Sequence, residues 1–268
     1  MELAAVCEQY RVGFLGEPAS AVTSLAFVAA AVGILVSHRH SGACRDTAVR
    51  DRQTVVFAAL VAGTGVGSFI QHGPHPDWQA YAHDLPLAGV LMFVATDAVS
   101  DLTERELSPA WWLVPVAAIV PAAASGTRAS TMLQAAMATA AIGLSLVRAR
   151  RRPALRRMLI AALVTAAAGA AIGALTDRTQ LCRADSLVQG HAVWHVLAAA
   201  ALWRLAAAMG ARHRPPSTPG AAAHPRRPTL SSRTAMILGL STPTLFGSPL
   251  VPIQPEDPHR PAHPQPRE

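Results

Sequence analysis

Apolar residues in this chain are gathered into seven blocks of about 17–22 residues, the length that an α-helix needs to cross the hydrocarbon core of a bilayer. Charged residues make up only 15% of the sequence, whereas soluble domains carry roughly 25%. We therefore predict an all-α fold, a polytopic membrane protein with a seven-helix transmembrane bundle. The spans are expected at about 18–37, 53–71, 84–100, 109–125, 129–147, 157–175 and 187–209.

Basic residues occupy alternate connections between these spans, which is the pattern that the positive-inside rule gives for cytoplasmic segments. The acidic connection at 101–106 is an exception. The pattern predicts an N-terminus outside and a cytoplasmic C-terminus, and it explains the net charge of +7 without a nucleic-acid partner. The arginines concerned are Arg39, Arg45, Arg50 and Arg52, then Arg148, Arg150, Arg151, Arg152, Arg156 and Arg157, and finally Arg212 and Arg214.

The composition changes after the last apolar block. Residues 211–268 hold most of the 21 prolines, together with Ser, Arg and His. Such a segment buries too little apolar surface to fold. We predict a membrane domain at 1–210 and a disordered cytoplasmic tail at 211–268.

Two of the three cysteines fall on the outer side in this topology. Cys7 precedes the first span and Cys182 precedes the seventh, while Cys44 falls inside. An oxidising compartment favours a Cys7–Cys182 disulfide. Two unpaired thiols are the alternative, and the sequence does not choose between them.

Polar residues from the second, third and seventh spans are expected at one depth near the outer surface. Ser68 and His72 end the second span, Asp84 begins the third, and His191 and His195 lie in the first two turns of the seventh. Residues four apart share a helical face. Three imidazoles and a nearby carboxylate are typical of an open zinc site, and ionisable groups within a span indicate function.

Each of these residues also has a simpler interpretation. Interfacial histidines snorkel or cap helices, and Asp84 is well placed as an N-cap residue before Leu85-Pro86. His75 and His83 are expected to be solvated, although either is a rival ligand. The glycines of Gly63 to Gly67 are read as helix contacts, because no strand precedes them and no Lys follows, as a phosphate-binding loop would require.

Taken together, the motifs resemble the alkaline ceramidase family, within the wider set of seven-span hydrolases that includes the adiponectin and progestin receptors. The resemblance covers residues from about 7 to 205. It rests on Cys7-Glu8 with Glu17-Pro18-Ala19-Ser20 and Ser24, on Gly65-Val66-Gly67-Ser68 with His72 and Asp84-Leu85-Pro86, and on Gly190-His191-Ala192-Val193-Trp194-His195 preceded by Asp177 and Cys182.

The resemblance implies zinc held by His72, His191 and His195, with Ser68 and Asp84 as catalytic residues at the metal. Three imidazoles leave a fourth position open, where water becomes a usable nucleophile at neutral pH. Ser68 would orient that water or stabilise the oxyanion. Asp84 would pass a proton to the leaving amine or orient a ligand histidine.

The resemblance also implies a calcium ion near the zinc, with Glu8 and Glu17 as ligands. This chain departs from the family pattern at Ala5 and Tyr10, where further oxygen ligands are expected. Since calcium takes six to eight oxygens, backbone and water would have to complete the site. The alternative is that Glu17 holds the first helix against the others.

The expected function is that of a ceramidase-like amide hydrolase, which cleaves an N-acyl (sphingo)lipid taken from the bilayer into a fatty acid and an amine. One alternative is a receptor or sensor in which the metal is structural and carries a fourth protein ligand. Another is a proton or ion carrier built on intramembrane Asp and His. Against the carrier, the inner half of the bundle is expected to be almost wholly apolar.

Overall fold

The computed structural model describes residues 7–40, 48–179, 182–186 and 188–211, without the side chains of residues 48, 49, 177 and 178. The predicted tail beyond residue 211 and the side chain of Asp177 therefore lie outside the described residues. Every regular element in the described part is an α-helix. The helices are α1 (Pro18–His40), α2 (Ala48–His72), α3 (Gln79–Thr103), α4 (Ala110–Ala117), α5 (Ile119–Ser125), α6 (Thr127–Arg151), α7 (Pro153–Arg178) and α8 (Gly190–Ala206).

Five of these helices are long and apolar enough to cross a membrane: α1, α2, α3, α6 and α7. They coincide with the first, second, third, fifth and sixth predicted spans, so an apolar helical bundle of the multi-pass membrane type is confirmed. The seventh predicted span is the 17-residue helix α8. The count of seven spans and the orientation of the termini stay predictions.

The fourth predicted span is not one continuous helix. It divides at Ala118 into α4 and α5, and Pro115 and Pro121 flank that division. A proline has no N–H to donate to the carbonyl four residues earlier, so Pro115 and Pro121 leave the carbonyls of Trp111 and Ala117 without their helical donors. The amide of Ala118 turns to the closer carbonyl of Pro115, at 3.1 Å.

Six helices form a closed ring through their contacts. In order around the ring, α1 packs on α2, α2 on α3, α3 on α6, α6 on α7, α7 on α8 and α8 on α1. The pair α4 and α5 packs against α3, with α5 also touching α6. Buried aromatic and aliphatic side chains fill the ring, among them Phe27, Phe57, Val61, Phe93 and Leu159.

The glycines of α2 bring its two neighbours close. A Cβ on Gly67 would lie 2.0 Å from the carbonyl oxygen of Ala82 in α3, and one on Gly65 would lie 3.0 Å from the carbonyl oxygen of Ser24 in α1. The carbonyl of Ala82 is available for this approach because Pro86 supplies no helical N–H to it. These contacts support the interpretation of the glycines as helix contacts, since small residues let membrane helices approach closely.

One end of the bundle carries a buried ionic cluster, which we call the arginine end: Asp97, Asp101, Arg148 and Arg152. Arg148 is 1% exposed and donates to Asp97 Oδ2 and to Asp101 Oδ2, both at 2.8 Å. Its Nη2 also donates to the carbonyls of Ala208 and Ala211. The expectation of an almost wholly apolar inner half is therefore wrong, because α3 and α6 bury charges of opposite sign against one another and the segment after α8 adds two carbonyl acceptors.

The opposite end, which we call the histidine end because it holds His72, carries a disulfide. Cys7 and Cys182 are joined, with their Cα atoms 5.5 Å apart. The sequence left a disulfide and two unpaired thiols as alternatives, and the structure contains the disulfide. It ties the segment before α1 to the segment before α8.

Candidate metal centre

Three histidines meet at the histidine end of the ring. One nitrogen from each of His72, His191 and His195 lies within 4.8 Å of the others. The ring centroids are 4.7 Å apart for His191 and His195, 4.9 Å for His72 and His191, and 5.1 Å for His72 and His195. The sequence predicted this trio, and the structure confirms that its members are close enough to bind a metal ion.

The rotation of α8 is set by Trp194, which lies on the face of the helix next to the one that carries the histidines. Trp194 lies against Gly169 and Gly173 of α7, where added Cβ atoms would come within 2.9 and 3.4 Å of its side chain. Gly190 is packed so tightly that a Cβ would overlap the hydroxyl of Thr176 at 1.5 Å. With Trp194 held on α7, the face of α8 that carries the histidines turns toward α1 and α2.

The ring of His195 is oriented by α1. Its Nδ1 lies 3.0 Å from the backbone carbonyl of Ser20. A carbonyl only accepts hydrogen bonds, so Nδ1 carries the proton in this contact and Nε2 keeps its lone pair. The lone pair needed by a metal is thus on the nitrogen that lies 3.3 Å from Ser68 Oγ in α2.

The ring of His72 is oriented by Glu17. The Glu17 carboxylate makes a short hydrogen bond with His72 Nδ1, and its backbone amide donates to the His72 carbonyl at 2.7 Å. A carboxylate on the far nitrogen of a histidine fixes the tautomer and makes the ring a better metal ligand. Glu17 therefore orients His72. The same contacts join the start of α1 to the end of α2, which fits the alternative that Glu17 holds the first helix against the others.

Glu8, the other predicted calcium ligand, caps the start of α1. Its two carboxylate oxygens accept from the amide of Ala19 at 2.6 Å and from the amide and hydroxyl of Ser20 at 2.9 and 2.8 Å. Carboxylates are favoured there because the first N–H groups of a helix lack helical partners. In the described part of the chain, the histidine trio is the group that could hold a metal, and it includes neither Glu8 nor Glu17. Calcium stays a prediction.

Ser68 lies next to the trio, as the sequence predicted. Its side chain is 1% exposed, and its Oγ lies 3.1 Å from Ser24 Oγ and 3.3 Å from His195 Nε2. Thr23 and Ser24 also approach His195 Nδ1, both at 3.3 Å. The sequence predicted no role for the hydroxyls of Thr23 and Ser24, although Ser24 lies one turn from Ser20 on the same face of α1.

Asp84 lies inside α3, not at its N-cap, because the helix begins at Gln79. The N-cap interpretation is wrong for this reason. Asp84 is 8% exposed, and its two carboxylate oxygens contact His83 Nδ1 at 2.8 Å and Ser130 Oγ at 2.5 Å. It is not a member of the histidine trio. The close contact of Gly67 with Ala82 nevertheless packs this turn of α3 against α2, one residue from Ser68.

The two rival histidines have other partners. His75 lies in the connection between α2 and α3, where its ring contacts the carbonyl of Gln71 at 2.7 Å and the side chain of Gln79 at 2.8 Å. His83 contacts Asp84. Neither belongs to the trio that could hold a metal.

The chain matches no protein-family model and no curated protein sequence. The likeness to the alkaline ceramidases therefore rests on the motifs quoted above.

Proposed function

We propose that this protein is a zinc-dependent membrane hydrolase that cleaves the amide bond of an N-acyl lipid, in the manner of the alkaline ceramidases. The observation that carries the proposal is the convergence of His72, His191 and His195. Two of these rings are further oriented through their Nδ1 atoms, one by a carboxylate and one by a backbone carbonyl. Oriented imidazoles of this kind are typical of metal ligands.

Zinc fits this donor set better than magnesium or calcium does. An all-imidazole site suits zinc and other late transition ions, whereas magnesium and calcium need oxygen ligands. Tetrahedral Zn–N bonds of about 2.0–2.1 Å separate their nitrogens by roughly 3.3–3.4 Å. Nitrogens that already lie within 4.8 Å of one another reach that spacing through small ring movements. Three protein ligands and one open position are characteristic of catalytic zinc.

When bound, zinc supplies the Lewis acid and the activated water of amide hydrolysis. The residues of the chain then have distinct duties. Ser68, buried between Ser24 and His195, orients the attacking water or donates a hydrogen bond to the oxygen that becomes negative. Asp84, on the adjoining turn of α3, carries the proton to the departing amine.

The surroundings of the site support a lipid substrate. Exposed apolar side chains lie on α1, α2 and α8, close in sequence to Thr23, Ser68 and His195. Val22 on α1 is 55% exposed, Val66 on α2 is 51% exposed, and Val196 on α8 is 46% exposed. In a bilayer such exposed positions would face acyl chains, so the proposed substrate would lie beside the helices that hold the trio.

The test is hydrolysis of a panel of N-acyl lipids by the purified protein, with released fatty acid as the readout. We expect activity that a chelator abolishes and zinc restores. His195→Ala is expected to lose both zinc and activity, because the nitrogen donor is removed, and His191→Ala provides a second variant. His75→Asn is the matched control, since His75 also lies at the histidine end but outside the trio.

Full activity in folded His195→Ala protein, or fatty acid release that a chelator does not affect, would refute the proposal. A wild-type preparation with stoichiometric zinc but no hydrolysis of any N-acyl lipid would instead favour a structural metal.

A further inference from the structure

Helix α6 reaches the histidine end and places one buried hydroxyl on Asp84. Ser130 is 1% exposed, and its Oγ donates to Asp84 Oδ2 at 2.5 Å. Gln134, one helical turn further along α6, donates from Nε2 to Ser130 Oγ at 3.1 Å. No motif in the sequence marked these two residues, which lie in a helix rich in alanine.

The direction of these hydrogen bonds follows from the donors available. The amide nitrogen of Gln134 only donates, so Ser130 Oγ accepts from it. The single hydroxyl hydrogen of Ser130 is then directed to the carboxylate of Asp84, which accepts. Hydrogen bonds to an ionised group are about twice as strong as those between neutral groups, so this contact holds the carboxylate firmly.

The other oxygen of Asp84 is held from the opposite side. His83 Nδ1 lies 2.8 Å from Asp84 Oδ1. The carboxylate is therefore fixed at both oxygens, by α6 on one side and by its own neighbour on the other. The contact of Gly67 with Ala82 fixes the turn of α3 on which both residues sit.

We infer that Ser130 is a positioning residue for the hydrolysis. Its hydroxyl sets the angle at which the Asp84 carboxylate meets the reacting amide, and Gln134 sets the direction of the Ser130 hydroxyl. This inference rests on the proposed function. It assigns to α6 a part in the reaction, although α6 contributes no member of the histidine trio. A proton is transferred efficiently only when donor and acceptor are held within hydrogen-bonding reach.

A purely structural role makes a different prediction. If the Ser130–Asp84 contact only joined α3 to α6, as polar contacts between membrane helices do, its loss would lower stability and leave the turnover of the folded enzyme unchanged. The two roles are separated by comparing kcat, KM, zinc content and thermal midpoint in the same preparations.

The experiment uses the full-length chain in detergent, with the N-acyl lipid that the wild-type protein hydrolyses best. For Ser130→Ala we expect kcat to fall about 10- to 100-fold, the range typical of residues that orient a metal site from outside it, with KM and zinc stoichiometry unchanged. Ser130→Thr keeps the hydroxyl and is expected to recover most of that kcat. Ser145→Ala is the matched control, because Ser145 is a buried serine at 2% exposure on the same helix, far from Asp84.

Wild-type kcat in Ser130→Ala would overturn the inference. So would an equal loss in Ser145→Ala, or a loss that merely follows the amount of folded, zinc-loaded protein. These outcomes leave the proposed function intact as long as the wild-type chain hydrolyses the lipid in a chelator-sensitive way. Absence of that wild-type activity overturns the proposed function itself, and the inference with it.

Discussion

The two ends of the bundle bury polar side chains in opposite ways. At the arginine end, Asp97 and Asp101 face Arg148 and Arg152, so the cluster balances two negative charges with two positive ones. At the histidine end, one ring nitrogen from each of His72, His191 and His195 lies within 4.8 Å of the other two. The first cluster pairs opposite charges within the protein, whereas the second brings metal-binding nitrogens of one kind to a common point.

This difference separates polar groups that balance one another's charge from polar groups that gather possible metal ligands. Opposite charges that neutralise each other keep helices together and need nothing from outside. Converging imidazole nitrogens are instead an arrangement that a metal ion can join. The histidine trio is close enough to bind one.

The largest expected effect comes from Arg148→Met. The substitution leaves two carboxylates buried without their main cation, and removal of one partner of a buried ion pair typically destabilises a protein by about 3–5 kcal/mol. We expect a much lower thermal midpoint in detergent, while the protein that remains folded keeps its metal. Arg150→Met is the control, because Arg150 belongs to the same helix but is exposed. Equal stability of the two variants would contradict the structural role of the arginine end.

A smaller effect is expected from metal removal. A ligand present at 100 times its dissociation constant stabilises the folded state by about 2.7 kcal/mol. Chelation should therefore lower the thermal midpoint of the wild-type protein and of Arg148→Met by similar amounts. It should leave His195→Ala unchanged, since that variant has lost a metal ligand. A chelator effect that survives in His195→Ala would place the metal elsewhere.

The smallest effect is expected from Glu17→Gln. The amide is a weaker partner for His72 Nδ1 than the carboxylate, and loss of such a partner typically reduces metal affinity 10- to 100-fold, or about 1.4–2.7 kcal/mol. Competition with a zinc chelator of known affinity measures the change. Glu104→Gln, at the arginine end and 64% exposed at its side chain, should retain wild-type affinity. Equal affinities in the two variants would show that Glu17 does not support the metal site.

The sequence predicted the histidine end well, and the reason is physical. Spans of fixed length place residues at known depths, so His72 at the end of one span and His191 and His195 at the start of another had to lie at one level. The same reasoning put Cys7 and Cys182 on one side, which left the disulfide as one of two alternatives.

The arginine end was missed because arginine near the end of an apolar block is usually assigned to the solvated loop. Arg148 lies instead within α6, where it is almost fully buried. A signal was present in Asp97 and Asp101, which are four residues apart and therefore share a face of α3. Two carboxylates on one face of a membrane helix indicate a buried cation on a neighbouring helix.

Other details depend on tertiary contacts that no local pattern contains. Glu17 faces His72 only because α1 packs against α2, and Ser130 meets Asp84 only because α6 packs against α3. The division of the fourth span was foreseeable, since Pro115 and Pro121 both remove helical donors within a single short block.

The bond between Cys7 and Cys182 closes most of the described helices into a covalent macrocycle that runs from α1 through α7. A protease that cuts once in any connection of this macrocycle opens it without releasing a fragment, and the two pieces separate only after reduction. Helix α8 is the first element beyond the closure. Its two histidines are therefore tethered, through a few residues, to the same sulfur bridge that anchors the beginning of the chain.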